Sequence, residues 1–227
     1  MLHILDNPIW NALTTGNKDF AFGNEKAKYI KRDVGLFAGM KNNSGKDFQE
    51  LYIVSPPKSF LILFVPEEIQ IPAGWHIELK KEILQMAYLK ERKQIFDDTE
   101  IKNLGEEHIP AMQKLTKMTN PGPFLPRTID FGYYQGIFNQ NQLIAMTGQR
   151  LHPDPYIEIS AVCTHPDYTG KGYAAKLVNS QINIITGMSR IPFLHVYQDN
   201  LAAVKLYEKL GFQIRKQMLV YMIQKES

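Results

Sequence analysis

The sequence predicts an α/β fold, a mixed sheet flanked by helices, preceded by a strand-rich N-terminal lobe. Three observations predict it. Short apolar runs of strand length alternate with helix-period segments through the second half of the chain. Hairpin punctuation such as Asn139-Gln140-Asn141 separates neighbouring runs. One β-rich run passes through a two-glycine loop directly into a long amphipathic helix.

The first 96 residues read as short strands over 33–40, 51–55, 60–65, 75–79 and 83–88. Pro56-Pro57, Pro66, Pro72 and Gly74 mark turns between them, and 18–32 reads as helix or loop. The rhythm changes near Asp97-Asp98, which divides the chain into 1–96 and 97–227. Beyond it, 101–104 reads as a short strand. Ile109, Met112, Leu115 and Met118 recur at helical spacing over 105–118. A Pro/Gly-rich loop over 120–127 leads to strands at 132–138 and 142–150, then a strand at 156–164. A helix over 170–189, a strand over 192–197, a helix over 200–210 ended by Gly211 and a last strand over 212–224 complete the chain.

The chain has 227 residues, ordinary apolar content and a formal net charge of +3. That balance does not suit nucleic acid, and the basic stretches Lys80-Lys81 and 90–93 read as solvated surface. No apolar stretch approaches the ~18 residues of a membrane span, and no basic region followed by a long apolar run opens the chain. The single cysteine, Cys163, allows no disulfide within the chain and fits a reducing, cytoplasmic setting. His108, His152 and His195 show no ligand spacing, so no metal is expected.

The most informative segment runs Val162-Cys163-Thr164-His165-Pro166-Asp167-Tyr168-Thr169-Gly170-Lys171-Gly172-Tyr173-Ala174. The first backbone N–H groups of a helix lack internal partners, and the helix dipole favours negative charge there. Glycine lets a phosphate approach the backbone without a Cβ in the way. Ala174, Leu177, Val178, Ile182 and Ile185 give the following helix one apolar stripe. No Asp or Glu occurs from Thr169 to Gln198, and Lys171 adds a positive charge beside the loop. A plain turn whose glycines serve packing is the competing reading of the same residues.

The stretch Thr169-Gly170-Lys171-Gly172-Tyr173-Ala174 resembles the donor-binding signature Gln/Arg-x-x-Gly-x-Gly/Ala of the general-control-related N-acetyltransferase (GNAT) superfamily. Gly172 and Ala174 match it; Thr169 stands where the family carries Gln or Arg. A second signature is similar to Asn200-Leu201-Ala202-Ala203-Val204-Lys205-Leu206-Tyr207-Glu208-Lys209-Leu210-Gly211-Phe212. Together the motifs cover the last 130 residues or so, 97–227. The run Glu158-Ile159-Ser160-Ala161-Val162-Cys163-Thr164-His165-Pro166 further resembles a two-lobed branch similar to glycine N-acyltransferase, whose first lobe is a degenerate copy of the fold. The resemblance implies a mostly antiparallel sheet and acetyl or short acyl transfer from acyl-CoA, in the first place acetyl-CoA, to a primary amine on a small molecule or peptide. The competing function is a CoA-binding regulatory module without turnover, which the Thr169 departure favours.

Direct attack requires the amine to lose a proton, the thioester carbonyl to be polarised and the leaving thiolate to be protonated. Regular alternation along 156–164 puts Ile157, Ile159, Ala161 and Cys163 on one face and Tyr156, Glu158, Ser160, Val162 and Thr164 on the other. A mid-strand carboxylate is costly unless solvated, paired or used. By the resemblance, Glu158 is the candidate base, acting directly or through water, and Tyr207 the candidate acid beside the CoA sulfur. The alternatives are an ion-paired strand carboxylate and a core tyrosine. The resemblance also implies that backbone groups of Val162, Cys163 and Thr164 line the pantetheine arm, and that Thr169, Gly170, Lys171, Gly172, Tyr173 and Ala174 hold the pyrophosphate. Asn200 joins the donor site, a helix N-cap being its other reading.

The loop after the first helix of 97–227 is expected to line the acceptor side, with Pro121, Pro123, Phe124 and Pro126 as an apolar wall. Tyr133, Tyr134 and Gln149 are candidates to join it. Arg127 either binds an acceptor carboxylate or ties the loop down.

Overall fold

The computed structural model describes residues 3–89 and 99–226; the expected dividing line near Asp97-Asp98 and the basic stretch 90–93 lie outside them. Eleven strands and five α-helices follow along the described chain. The first part holds α1 (Pro8–Thr14), β1 (Ala21–Gly23), β2 (Ala27–Ile30), β3 (Ala38–Met40), α2 (Gly45–Val54), β4 (Phe60–Val65) and β5 (Trp75–Tyr88). After 99 come β6 (Ile101–Asn103), α3 (Ile109–Thr119), β7 (Gln135–Asn139), β8 (Gln142–Gln149), β9 (Tyr156–Thr164), α4 (Tyr173–Gly187), β10 (Ile191–Tyr197), α5 (Leu201–Leu210) and β11 (Phe212–Lys225).

Two expected elements change character. Residues 51–55 are not a strand; they fall largely in the last turn of α2. A capping box starts that helix: Ser44 Oγ accepts from the Asp47 N–H at 3.2 Å, and the Asp47 carboxylate accepts from the Ser44 N–H at 3.4 Å. Phe48 and Leu51, three residues apart, then bury one helical face. The strands expected at 75–79 and 83–88 are one strand, β5, because β11 pairs with it along its full length.

β1, β2 and β3 form a small antiparallel sheet. The main sheet has eight strands in the order β4-β11-β5-β10-β9-β8-β7-β6. Strands from both sides of residue 96 therefore share one hydrogen-bonded sheet, with β5 lying between β11 and β10. Every pairing in the main sheet is antiparallel except β10 with β9, so the sheet is mixed and mostly antiparallel. The N-terminal half touches the main sheet again through Phe37, which bridges Ile62.

Helices cover both faces. On one, Val178, Ile182 and Ile185 of α4 and Val204 and Tyr207 of α5 pack against Met86, Ile157, Ile159, Leu194, Val196 and Phe212. On the other, α1 and α3 bury Ile9, Leu13, Met112 and Leu115 against Ile83, Met146, Cys163, Phe193 and Met218. The stripe read from the α4 sequence faces inward, with Leu177, Val178, Ile182 and Ile185 fully buried.

Candidate active site

The parallel pair β9–β10 is short. It registers only Tyr156, Ile157 and Glu158 against Ile191, Pro192 and Phe193; beyond that point the strands part. A bulge in β9 accompanies the fork. Met146 pairs with Cys163 and Gly148 with Ser160, so Ala161 and Val162 together oppose Thr147. Ala161 has φ of +52°, and the Thr147 hydroxyl donates to the Ser160 carbonyl at 3.0 Å. The bulge overturns the regular alternation expected for this strand. Ile157, Ile159 and Val162 pack toward α4 and α5, while Ala161 and Cys163 pack on the opposite face.

The fork holds a cavity of about 420 Å³. Val162, Ala174, Asn200 and Tyr207, four of the residues singled out from the sequence, line it together. Cys163 and Thr164 continue β9 beyond its lining, and Thr169, Gly170, Lys171, Gly172 and Tyr173 form the turn that leads to Ala174.

That turn leaves the α4 N-terminus open. Gly170 and Gly172 have φ of +76° and +83°, a region side chains rarely occupy, and a Cβ built on either would meet nothing within 4 Å. Gly172 is the N-cap residue and brings no side chain to cap α4, whose first turn holds no acidic residue. The helix thus begins three residues later than the sequence suggested, because the two glycines shape the approach rather than the first turn. Thr169 turns away: its hydroxyl donates to the Pro166 carbonyl at 2.9 Å. The Lys171 ammonium sits 4.8 Å from the centre of the Tyr168 ring. Open glycines, uncapped amides and a nearby ammonium fit a pyrophosphate.

Tyr207 points into the cavity from α5. Burial pushes its phenol well above the usual range, so it stays protonated at neutral pH. Among the described residues no group partners its hydroxyl. Asn200 caps α5 by accepting the Ala203 N–H on Oδ1 at 3.2 Å while lining the same cavity. Cys163 is buried, and burial lifts its thiol to about 11, which removes it as a nucleophile near neutrality.

Glu158 is fully buried and absent from the cavity lining. Arg150 donates to it twice, from Nε at 2.8 Å and Nη2 at 2.6 Å, and His195 Nδ1 lies 2.7 Å from Oε1. Burial alone would raise this carboxyl, but Arg150 and then His195 hold it down at about 2. Glu158 is therefore an anion with both oxygens engaged. A carboxylate free to take a proton directly, one of the two routes left open by the sequence, does not fit this geometry. The groups that reach the cavity beside it are Arg150 and His195. Sequence reading overlooked both. Hairpin register carried a signal for Arg150, since its N–H donates to the Glu158 carbonyl at 3.0 Å as the next step of the β8–β9 ladder. Nothing local in the sequence places His195 beside Glu158; that proximity arises where β10 meets β9.

The far end of the cavity is apolar. Phe37, Ile62, Phe64, Val220 and Met222 wall it, with Pro121, Gly122 and Pro123 from the loop after α3. The Arg150 guanidinium lies over the Phe37 and Phe64 rings, at 5.0 and 5.6 Å. Arg127 does not reach the cavity; it ties its loop down through Asp130, at 3.0 and 2.6 Å, and Glu106, at 2.8 Å. Tyr133 is exposed, and Gln149 is buried against Gln181 at 3.1 Å, so neither joins the acceptor wall. Among the described residues no three His, Cys, Asp or Glu side chains gather as a metal site, and no helix is long and apolar enough to cross a membrane.

A family model described as FR47-like protein matches residues 134–220. A solved GNAT-family chain from Novosphingobium aromaticivorans is similar over its whole length, with 30% identity, a TM-score of 0.92 and 100% of each chain covered. A GCN5-related N-acetyltransferase from Kribbella flavida shares the fold at 15% identity, with a TM-score of 0.57 and 96% of this chain and 95% of that one covered. Mycothiol acetyltransferase from Corynebacterium efficiens is 33% identical over 86 residues, which are 37% of this chain and 29% of that enzyme.

Proposed function

Because this chain belongs to the GNAT superfamily of N-acetyltransferases, we propose that it transfers an acetyl or short acyl group from acyl-CoA to a primary amine by direct attack. One observation carries the reading: a single cavity runs from the open N-terminus of α4, past the Tyr207 hydroxyl, to an apolar chamber that Arg150 and His195 border. Donor and acceptor have ends of opposite character in one space.

Acetyl-CoA supplies the activated acyl group. The α4 amides behind Gly170 and Gly172 hold its pyrophosphate, and backbone groups of Val162, Cys163 and Thr164 along the unpaired side of β9 hold its pantetheine arm. Asn200 and Ala174 border that arm. The amine nitrogen forms a bond to the thioester carbonyl carbon as the carbon–sulfur bond breaks; the amine gives up one proton and the sulfur takes one. Tyr207, kept protonated by burial, donates to the departing sulfur. Glu158 contributes as the fixed anion of the site, so the amine's proton leaves over a relay. Residues 97–227 carry the donor site, and Phe37, Ile62 and Phe64 from residues 1–96 wall the acceptor chamber. That wall fits a small amine with an apolar body.

The direct test is incubation of the purified chain with acetyl-CoA and a panel of primary amines, following free thiol. Amine-dependent thiol release supports the enzyme; tight CoA binding without release under any amine supports the regulatory module instead. In Tyr207→Phe, kcat is expected to fall about 100-fold, with KM for acetyl-CoA changing by no more than about threefold. An unchanged kcat would leave Tyr207 a packing residue of the α5 face.

A further inference from the structure

A buried polar row ends at the cavity. Arg215 Nε donates to Gln85 Oε1, and the Gln85 amide nitrogen donates to the Leu5 carbonyl at 2.8 Å, which leaves that buried amide one orientation. The same nitrogen faces His195 Nε2 at 3.0 Å, so Nε2 accepts and the ring proton sits on Nδ1. Glu158 Oε1 receives it at 2.7 Å. Both ring nitrogens are engaged, and the ring serves to hold Glu158 in place.

Glu158 in turn holds Arg150 by one edge. Nε and Nη2 donate to its two oxygens at 2.8 and 2.6 Å, the side-on fork of the guanidinium. The remaining N–H groups, on Nη1 and Nη2, form the end-on fork. Among the described residues nothing accepts from Nη1, and Nη1 is not one of the buried side-chain atoms left without a partner. The Arg150 side chain is 18% exposed and that of Glu158 not at all, and Arg150 lines the cavity. The open edge of the guanidinium therefore faces the cavity.

Charge decides what that edge can take. Among the described residues that line the cavity, Arg150 carries the only permanent charge, and no carboxylate is present. Glu158, behind the lining, cancels that charge, so the chamber is neutral before a ligand enters. An ammonium with no anion of its own would add an unpaired charge beside a guanidinium, which is costly away from water. An amine that brings its own carboxylate enters with no net charge, and a planar carboxylate matches the two parallel donors of an end-on fork.

We propose that Arg150 is the acceptor-binding residue of this site and that the acceptor is an amino acid with an apolar side chain. The inference rests on the acyl-transfer reading of this cavity. The carboxylate takes the open edge of Arg150, and the side chain lies against Phe37, Ile62, Phe64, Val220 and Met222. The carboxylate role that the sequence offered to Arg127 passes to Arg150, because Arg127 is taken up by Asp130 and Glu106. The Phe37 and Phe64 rings, 5.0 and 5.6 Å from the guanidinium, hold it in place and begin the apolar wall. Glycine has no side chain to cover that wall and so binds less well.

The test is thiol release from acetyl-CoA by the full chain with matched acceptors: phenylalanine, phenylalaninamide, phenethylamine and glycine. kcat/KM for phenylalanine is expected to exceed that for phenethylamine and for phenylalaninamide by about 30-fold or more. It should exceed that for glycine by about tenfold or more. Arg150→Lys keeps a cation beside Glu158 and loses the second edge. In that variant KM for phenylalanine should rise about tenfold or more, while KM for acetyl-CoA stays within about twofold. Phenethylamine, the amide or glycine used as well as phenylalanine overturns the proposal and leaves acyl transfer standing. A folded Arg150→Lys chain with an unchanged KM for phenylalanine does the same. If the substituted chain does not fold, the wild-type comparison decides alone. No thiol release with these acceptors or with any other primary amine refutes the acyl-transfer reading and the proposal with it.

Discussion

Gly172→Asp should lose acetyl-CoA binding by at least about 100-fold, roughly 3 kcal/mol. Two effects act in that substitution. Gly172 sits at φ +83°, where a side chain costs on the order of 1 kcal/mol. The larger effect is electrostatic, because the new carboxylate would occupy the open space ahead of α4 that the proposed binding mode gives to the donor's pyrophosphate. Gly172→Asn separates the two. It imposes the same backbone strain without the charge, and its loss should stay below about tenfold. Calorimetric titration with coenzyme A measures both, and added salt should recover part of the Asp variant's deficit. Equal losses for Asp and Asn would show that the turn's shape matters and its field does not.

Glu158→Gln is expected to cost stability as well as turnover. It leaves the Arg150 guanidinium against Phe37 and Phe64 without its anion, and breaking a buried pair from one side typically costs about 3–5 kcal/mol. For a chain of this size that lowers Tm by roughly 10 °C. The pH dependence has a definite sign. An ordinary glutamate titrates near ~4.3, whereas folded Glu158 is held at about 2. Its contribution, about 3 kcal/mol, is complete above pH ~4.5 and is lost as the pH falls toward 2. His195 acts in the same direction over a higher range. Burial lowers its pKa in the fold, so its contribution is present above the unfolded value of ~6.5 and is lost as the pH falls below it. Thermal unfolding of wild type and Glu158→Gln between pH 7 and pH 3 checks the point. The wild type should lose much more Tm on acidification below pH 4.5 than the variant. Parallel curves would mean that Glu158 does not carry this dependence.

What the sequence made legible follows from how local each determinant is. β4 and β9 appear at the expected limits, because their apolar runs are short and bounded by Pro, Asp or His. The apolar stripe of α4 and the glycine turn before it are likewise local patterns, so both could be read directly. Residues 51–55 were misread because an apolar run of that length suits a strand or the end of a helix; the Ser44 and Asp47 capping box decides it. The apolar end of the cavity was largely illegible. The β9 bulge at Ala161 breaks the alternation on which the facing of Glu158 was judged. β5 enters the sheet between β11 and β10 from far away in sequence, and only that insertion brings Gln85 to His195. Arg127 drew attention as the cation of its loop, yet Asp130 three residues on already offered it a partner.

The most direct measurement is a crystal structure of the chain with coenzyme A bound. The pyrophosphate oxygens should lie within about 3.5 Å of backbone amides between Gly170 and Lys176, with the sulfur beside the Tyr207 hydroxyl in the fork between β9 and β10. A nucleotide seated elsewhere, with the α4 amides facing only solvent or other protein groups, would contradict the assignment.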